Sequence, residues 1–408
     1  MTMKQTQTKQ FKFSDKGLDF TPGSKNLFMD RFKKIFTLGY NTQTVSSVAV
    51  TGNQVVLTYG VNHGYVAGRV LKLNAVNLNG EYVIDNVTSN TVTLTIDNAP
   101  TTITGGFTSF VASLGWQLVY EQSNIHIYSF KHINESTLYF RICFQTNTSH
   151  RNAIVVAVGK SVDLVLGTLT DTNVPGNHGT VTNSNDANPS MRWDFTDLAN
   201  STYNNYTYSQ GESYFGNGYI VGSMYHLVFL LNSYKPPTIT QTILEGPRCV
   251  FALMPTHCFN YPQLDYPVII GDAVSGTSAG KPSTQSATEF MAYVGNYRVA
   301  IDIVKNSPSI ELYFPQASDS IFPPNLDGFN TTASRPIQLY EYTTKQFVGV
   351  IYSGLQTLCI GTTNIPPLVD MSTSPILTSD IDNNSPVLIH GMGNLWVAVP
   401  IEEIKIAN

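Results

Sequence analysis

Residues 52–96, GNQVVLTYGVNHGYVAGRVLKLNAVNLNGEYVIDNVTSNTVTLTI, pack several short apolar/polar alternations between glycines and asparagines. A period of two places successive side chains on opposite faces of a strand, so each run buries one face and wets the other. In TVTLTI, Val92, Leu94 and Ile96 face one way, and Thr91, Thr93 and Thr95 the other. Thr51-Gly52-Asn53 sits between two such runs and reads as a hairpin turn; Asn79-Gly80 leads into another strand. About five strands within residues 44–112 predict a small barrel or sandwich.

One stretch carries a helical period instead. SKNLFMDRFKKIFTLGY, residues 24–40, follows Pro22-Gly23, and Ser24 can cap it. Leu27, Phe28, Phe32, Ile35 and Phe36 gather on one side, which must dock on a sheet, while Arg31, Lys33 and Lys34 fill a wet side. Gly39 supplies a left-handed exit. The first twenty or so residues are polar and read as a flexible arm.

Beyond residue 113 the strand pattern continues through GWQLVYEQ, NIHIYSF, STLYFRICFQT and RNAIVVAVG. Residues 165–220 are rich in Asn, Thr, Ser, Gly and Tyr and read as long loops, with an anchored island at Arg192-Trp193-Asp194-Phe195. YIVGSMYHLVFLLNSYKPP returns to strand and stops at Pro236-Pro237. Residues 275–288 read as a flexible loop, and SATEFMAYVG as a turn or two of helix. The remainder is strands split by Pro and Gly. The expected fold is all-β, with several small barrel- or sandwich-like units and one N-terminal amphipathic helix. The expected division is an arm and helix at 1–43, a small β unit at 44–112, a loop-rich β domain at 113–246 and a C-terminal β domain at 247–408.

Composition narrows the function. Charged residues are 12% of the 408, about half the usual ~25% of soluble domains, so amides and hydroxyls must wet the surface. With net charge −5 and no basic stripe, nucleic acid is excluded as a partner. The N-terminus lacks the apolar run of a signal peptide. No segment approaches the ~20 apolar residues of a membrane span. Synthesis in a cytoplasm follows, and the Asn-x-Ser/Thr triplets at Asn134, Asn147, Asn200 and Asn205 then carry no glycan. Cys143, Cys249, Cys258 and Cys359 have no paired spacing and read as reduced, mostly buried thiols.

No constellation argues for catalysis. His126 and His132 are six apart with a turn expected between them, which would make them cross-strand neighbours; His257 and Cys258 point to opposite faces of a strand. Neither makes a metal site. Asp194, Asp197, Asp265 and Asp272 lie near aromatics and are the candidates for a glycosidase-like acid pair. DIDNN, at 380–384, lacks the glycine and distal Glu of a calcium loop. There is no nucleophile elbow, phosphate loop or dinucleotide fingerprint. The expectation is a non-enzyme without cofactor or metal. Tyr203, Tyr206, Tyr208 and Tyr214 stand out in the loop region: first as a protein interface, then as solvated loop, then as a sugar site.

The order of elements resembles a family of tailed-bacteriophage virion structural proteins. The resemblance is carried by Gly23-Ser24, Gly39-Tyr40, VAVTGNQVVLT, His63-Gly64, Leu78-Asn79-Gly80 with Tyr82, Gly115-Trp116, and LYFRI at 138–142. It is specific over residues 11–145 and loose beyond, where RWDF and LWVAVP match later landmarks less closely. It implies a place in the particle, in the tail, neck or collar, or baseplate, with copies arranged as a symmetric ring against other virion proteins. His63 and Trp116 would then be structural, in turn and core. Polar uncharged faces suit such contacts, because burying them avoids desolvating ions. The N-terminal arm would reach a neighbour and fold on binding. The alternatives are a receptor-binding tail module that grips host surface glycans and a capsid decoration protein. A polysaccharide-degrading enzyme ranks last, for want of a β-helix repeat.

Overall fold

The computed structural model describes residues 3–6, 8–18, 28–145, 153–176, 178–184, 192–194, 218–232, 248–258, 265–272, 290–301, 333–344, 346–352, 355–359, 373–378, 386–392, 395–401 and 404–407. The chain is all-β in class, with one short helix among the described residues. Two strands, β1 (Met3–Thr6) and β2 (Lys9–Lys12), precede the helix α1 (Phe28–Lys33).

The unit legible as alternating runs is a closed barrel. Its strands are β3 (Tyr40–Thr51), β4 (Gln54–Tyr59), β5 (Val70–Leu73), β6 (Gly80–Val87), β7 (Thr91–Thr95) and β8 (Thr108–Val111). They close in the order β3-β4-β7-β6-β5-β8. Thr51 pairs with Gln54, so Gly52-Asn53 is a two-residue hairpin, with Gly52 at φ 61°. Val55, Leu57, Leu71, Leu73, Val92 and Leu94 fill the interior, while the threonines alternating with them lie outward. Closure leaves no sheet edge.

The helix runs through its end as a π-helical turn, Lys34–Leu38, in which the Gly39 N–H donates to the Lys34 carbonyl. The carbonyls of Ile35 and Phe36 accept from the N–H groups of Leu114 and Trp116 instead, so the helix end is stitched to the segment leaving the barrel. Gly39 has φ 75°, and a Cβ there would lie 2.4 Å from the Val111 carbonyl oxygen, so glycine is required. Phe32, Ile35 and Phe36 are fully buried, and Phe36 lies 4.8 Å from the Trp116 ring and 4.9 Å from that of Tyr128. Arg31 corrects the wet-face expectation: it is 2% exposed. The helix is wrapped on more than one side, by the N-terminal segment as well as the sheet. Lys34 donates to the Gly17 carbonyl, and Lys33 is held between Asp30 and Glu121, each at 2.8 Å. Ser24 and Leu27 lie outside the described residues.

The N-terminal segment is likewise no free arm. β2 pairs antiparallel with Gly218–Gly222, and β1 with Ile404–Ala407. Phe11 and Leu18 are fully buried. The polar residues that suggested solvent are buried because each meets a partner. Lys9 pairs with Glu81 at 2.7 Å, Gln10 donates to the Gly68 carbonyl, and Asp15 takes both Nε and Nη2 of Arg69 at 2.7 and 3.0 Å. Tyr40 donates its hydroxyl to the same Asp15 carboxylate at 2.8 Å.

After the barrel, β9 (Gln117–Gln122), β10 (Ile125–Lys131), β11 (Thr137–Phe144) and β12 (Ala153–Gly159) form an antiparallel meander with β9 at its edge. β12 passes through Arg192–Asp194 to Val268–Asp272, where the 15-stranded sheet branches. One branch runs through Arg248–Met254, Leu227–Asn232 and Gly218–Gly222 to β2. The other runs through Phe290–Val294, Tyr297–Ile301, Gln338–Glu341 and Phe347–Ile351 to Thr256–Cys258. Residues 248–258 thus pair with both ends of this second branch, turning at Pro255, and the sheet curls on itself.

Phe290–Val294 is a strand, not the expected helical turn. Its period is two: Ala292 and Val294 enter one core, and Tyr293 packs toward the other. The strands from Gly218 to Leu230 are buried on both faces, which removes the alternation from their sequence. Ile220, Leu227 and Phe229 join the core under the helix and barrel, and Tyr219, Val221, Val228 and Leu230 the core inside the curl. Five further strands between Ala333 and Pro400 form a separate sheet.

Candidate interaction surface

The loop-rich region contains a built element. Val162–Asp163 and Thr168–Leu169 pair as a two-residue-per-arm hairpin. The Asp163 carboxylate accepts from the N–H groups of Val165 and Leu166 at 2.7 and 3.0 Å, an Asx turn that fixes the tip. The Gly167 N–H closes it onto the Asp163 carbonyl at 2.9 Å, and Gly167 has φ +65°. A Cβ at Gly167 would lie 2.2 Å from the Tyr120 ring, so the hairpin sits hard against β9.

A buried arginine anchors it. Arg141 on β11 donates to the carbonyls of Gly167, His178 and Val181 at 2.8, 3.2 and 2.6 Å. One guanidinium thereby ties residues 167–181 to the sheet, and satisfied donors are what permit its burial. Beneath the hairpin, Leu169 and Val174 pack on Ala157 of β12. What this support holds out to solvent is apolar. Leu164, Val165 and Leu166 are 50%, 84% and 63% exposed. Three adjacent aliphatic side chains on a rigid turn are a feature of contact surfaces, since nothing within the chain is gained by exposing them.

The polar constellations do not assemble into chemistry. His126 and His132 are not cross-strand neighbours: no turn separates them, because β10 runs on through residue 131. Nδ1 of His126 meets the Tyr128 hydroxyl at 2.9 Å, and its Nε2 lies 3.6 Å from Glu121. Burial pushes His126 down to about 4. His132 follows the strand, 3.7 Å from Asp265, with burial lowering its pKa against the pull of that carboxylate. Asp265 also receives Lys160 at 3.2 Å. Asp171 beside it accepts from the Tyr266 hydroxyl and from the N–H groups of Lys160 and Asn173. Burial works to raise the Asp171 pKa, but these donors outweigh it and hold the carboxyl below its usual range, the opposite of what a general acid needs.

His63 is a turn residue. Its Nδ1 accepts the Tyr65 N–H at 2.9 Å, which leaves the proton on Nε2 to donate to the Thr91 carbonyl at 3.2 Å. Trp116 is core, its Nε1 donating to the Ser223 carbonyl at 2.8 Å. Trp193 of the RWDF island is fully buried and stacks on Phe251 at 5.8 Å. His257 is exposed and Cys258 half-buried, on opposite faces as the strand period requires, and Cys143 and Cys258 are free thiols. Among the described residues no group of three or more His, Cys, Asp or Glu converges as a metal site, and no helix is long and apolar enough to cross a membrane.

Tyr203, Tyr206, Tyr208 and Tyr214 lie outside the described residues, as do Asp197, residues 275–288 and DIDNN. Asp194 and Asp272 end strands whose neighbouring pair is Arg192 with Asp272. The tip at 164–166 was not read from the sequence. Its signal was local, an Asp four residues before a Gly with aliphatics between, set in a stretch whose composition reads as loop. No family model, no curated protein and no solved structure matches the chain.

Proposed function

We propose that this chain is a structural component of a tailed-phage virion, in the tail, neck or collar, or baseplate, and that it acts by assembly with copies of itself in a ring and with other virion proteins rather than by turnover. The observation that supports this most is the Leu164-Val165-Leu166 tip, held rigid by Asp163, Gly167 and Arg141. Three side chains supply far less than the ~800 Å² per partner of a stable pairwise interface, so the tip suits an anchor within a larger contact closed by several subunits. The charge-poor composition agrees, because amide and hydroxyl faces are buried in contacts at less expense than ions. The element order over residues 11–145, which resembles that of the virion family, supports a place in the particle.

Mass spectrometry of purified particles tests the reading: the chain should be present at a fixed stoichiometry. Val165→Asp and Leu166→Asp should leave the isolated protein folded, since both side chains already face water, yet lower its incorporation at least tenfold. Particles that lack the wild-type chain, or that take up both variants fully, would overturn the proposal.

A further inference from the structure

The sheet face that packs against the helix and barrel continues along the strands that follow Val268–Asp272. Ile269 belongs to that core, Tyr293 is its pairing neighbour on the next strand, and Arg298 pairs with Tyr293 in turn. The Tyr342 N–H donates to the Arg298 carbonyl, which brings Tyr342 alongside. The next row along the strands holds Tyr340 paired with Phe347. Along these strands the aliphatic face therefore becomes an aromatic one, with Arg298 as its one cation among the described residues.

Two features distinguish this patch from an ordinary solvated face. The Arg298 guanidinium carbon sits 3.7 Å from the centroid of the Tyr342 ring, a cation–π contact that holds the fork over the ring. It makes no hydrogen bond or ion pair among the described residues, which leaves its N–H donors for a ligand. Glu341, the neighbouring acid, does not compete: its carboxylate is taken by the Thr344 N–H in the turn. Beside this fork, Tyr340 and Phe347 meet edge to face at 5.6 Å, with Phe347 45% exposed, and the Gln338 amide accepts from the Tyr340 hydroxyl.

We propose that this face binds an acidic saccharide, with the carboxylate of a uronic- or sialic-type sugar on Arg298 and the apolar face of a sugar ring against Phe347 and Tyr340. Charge decides the occupant. A guanidinium held over a ring, with no carboxylate partner among the described residues, is complementary to one planar anion, and its fork reads carboxylate in two parallel hydrogen bonds. The aromatic pair next to it supplies apolar surface with little side-chain entropy to lose. The inference is independent of the virion reading, because it concerns the isolated protein.

The test is binding of purified protein to matched oligosaccharides, one carrying glucuronate or sialate and the other its neutral hexose counterpart, followed by ligand-observed NMR and titration. The acidic form should bind at least tenfold more tightly than the neutral one. Arg298→Lys, which keeps the charge but loses the fork, and Arg298→Ala should both abolish that preference. Phe347→Ala should weaken both sugars several-fold, with the thermal melt unchanged for all three variants. No binding of either sugar at millimolar concentration, equal binding of the two, or capture of an acidic peptide through Arg298 in place of the sugar would each overturn the proposal.

Discussion

Arg69→Met should destabilise the protein by about 3–5 kcal/mol, because it leaves the Asp15 carboxylate buried without its counter-ion. The pair is bidentate at 2.7 and 3.0 Å, and both side chains are 6% exposed. It fastens the N-terminal segment to the barrel across 54 residues of chain. Its removal should therefore detach β2 before the barrel melts. Asp15→Leu combined with Arg69→Met should recover part of the loss, since no charge is then stranded, although the buried Tyr40 hydroxyl loses its acceptor. Urea unfolding of the two single variants and the double variant gives the coupling. A single Arg69→Met variant as stable as wild type would show that the contact contributes nothing.

Acid should unfold the protein through its histidines. His226 is fully buried, with Nδ1 against the Ser223 hydroxyl at 2.7 Å, and burial pushes it down to about 3; His126 stands at about 4 for the same reason. Burial also lowers His63 and His132. In each case the folded state prefers the neutral ring, so its pKa lies below the unfolded value of about 6.5. The stabilisation is complete above that value and is lost as pH falls toward the folded pKa. For His126 and His226 together, the loss between pH 7 and pH 5 is roughly 4 kcal/mol, a large share of the ~5–15 kcal/mol that holds a typical domain. The urea midpoint should drop steeply over that range. His226→Asn, which cannot charge, should flatten the drop. An acid limb identical in wild type and variant would remove His226 from the account.

What could be read from the residues follows from how far each interaction reaches along the chain. The barrel was legible because Val92, Leu94 and Ile96 alternate with threonines, and hairpin turns fall between neighbouring runs. The helix was legible from Phe32, Ile35 and Phe36. Arg31 and the N-terminal segment were not, because polarity alone marks a residue as exposed, and the partners that bury it lie far off in sequence. Asp15 needs Arg69 and Tyr40; Lys9 needs Glu81. The strands at 218–230 were visible only as an apolar run, since burial on both faces erases the period. The tip at Leu164-Val165-Leu166 was hidden by its surroundings: a rigid turn of five residues changes little in the composition of a long polar stretch. The Arg298 face could not be found at all without pairing, because its residues are contributed by strands separated by a long stretch of chain.

Residues 248–258 have a consequence for how the molecule opens. One continuous segment pairs with Val268–Asp272 before Pro255 and with Phe347–Ile351 after it, which closes the second branch into a circuit. The part before Pro255 is also paired on its other side by Leu227–Asn232, so it lies inside the sheet rather than at an edge. The amide protons of Phe251 to Met254 should accordingly be among the last to exchange with deuterium, at the rate of global rather than local opening. A sheet closed this way resists piecemeal loosening, so strain delivered at one strand passes around the circuit instead of being absorbed at a hinge.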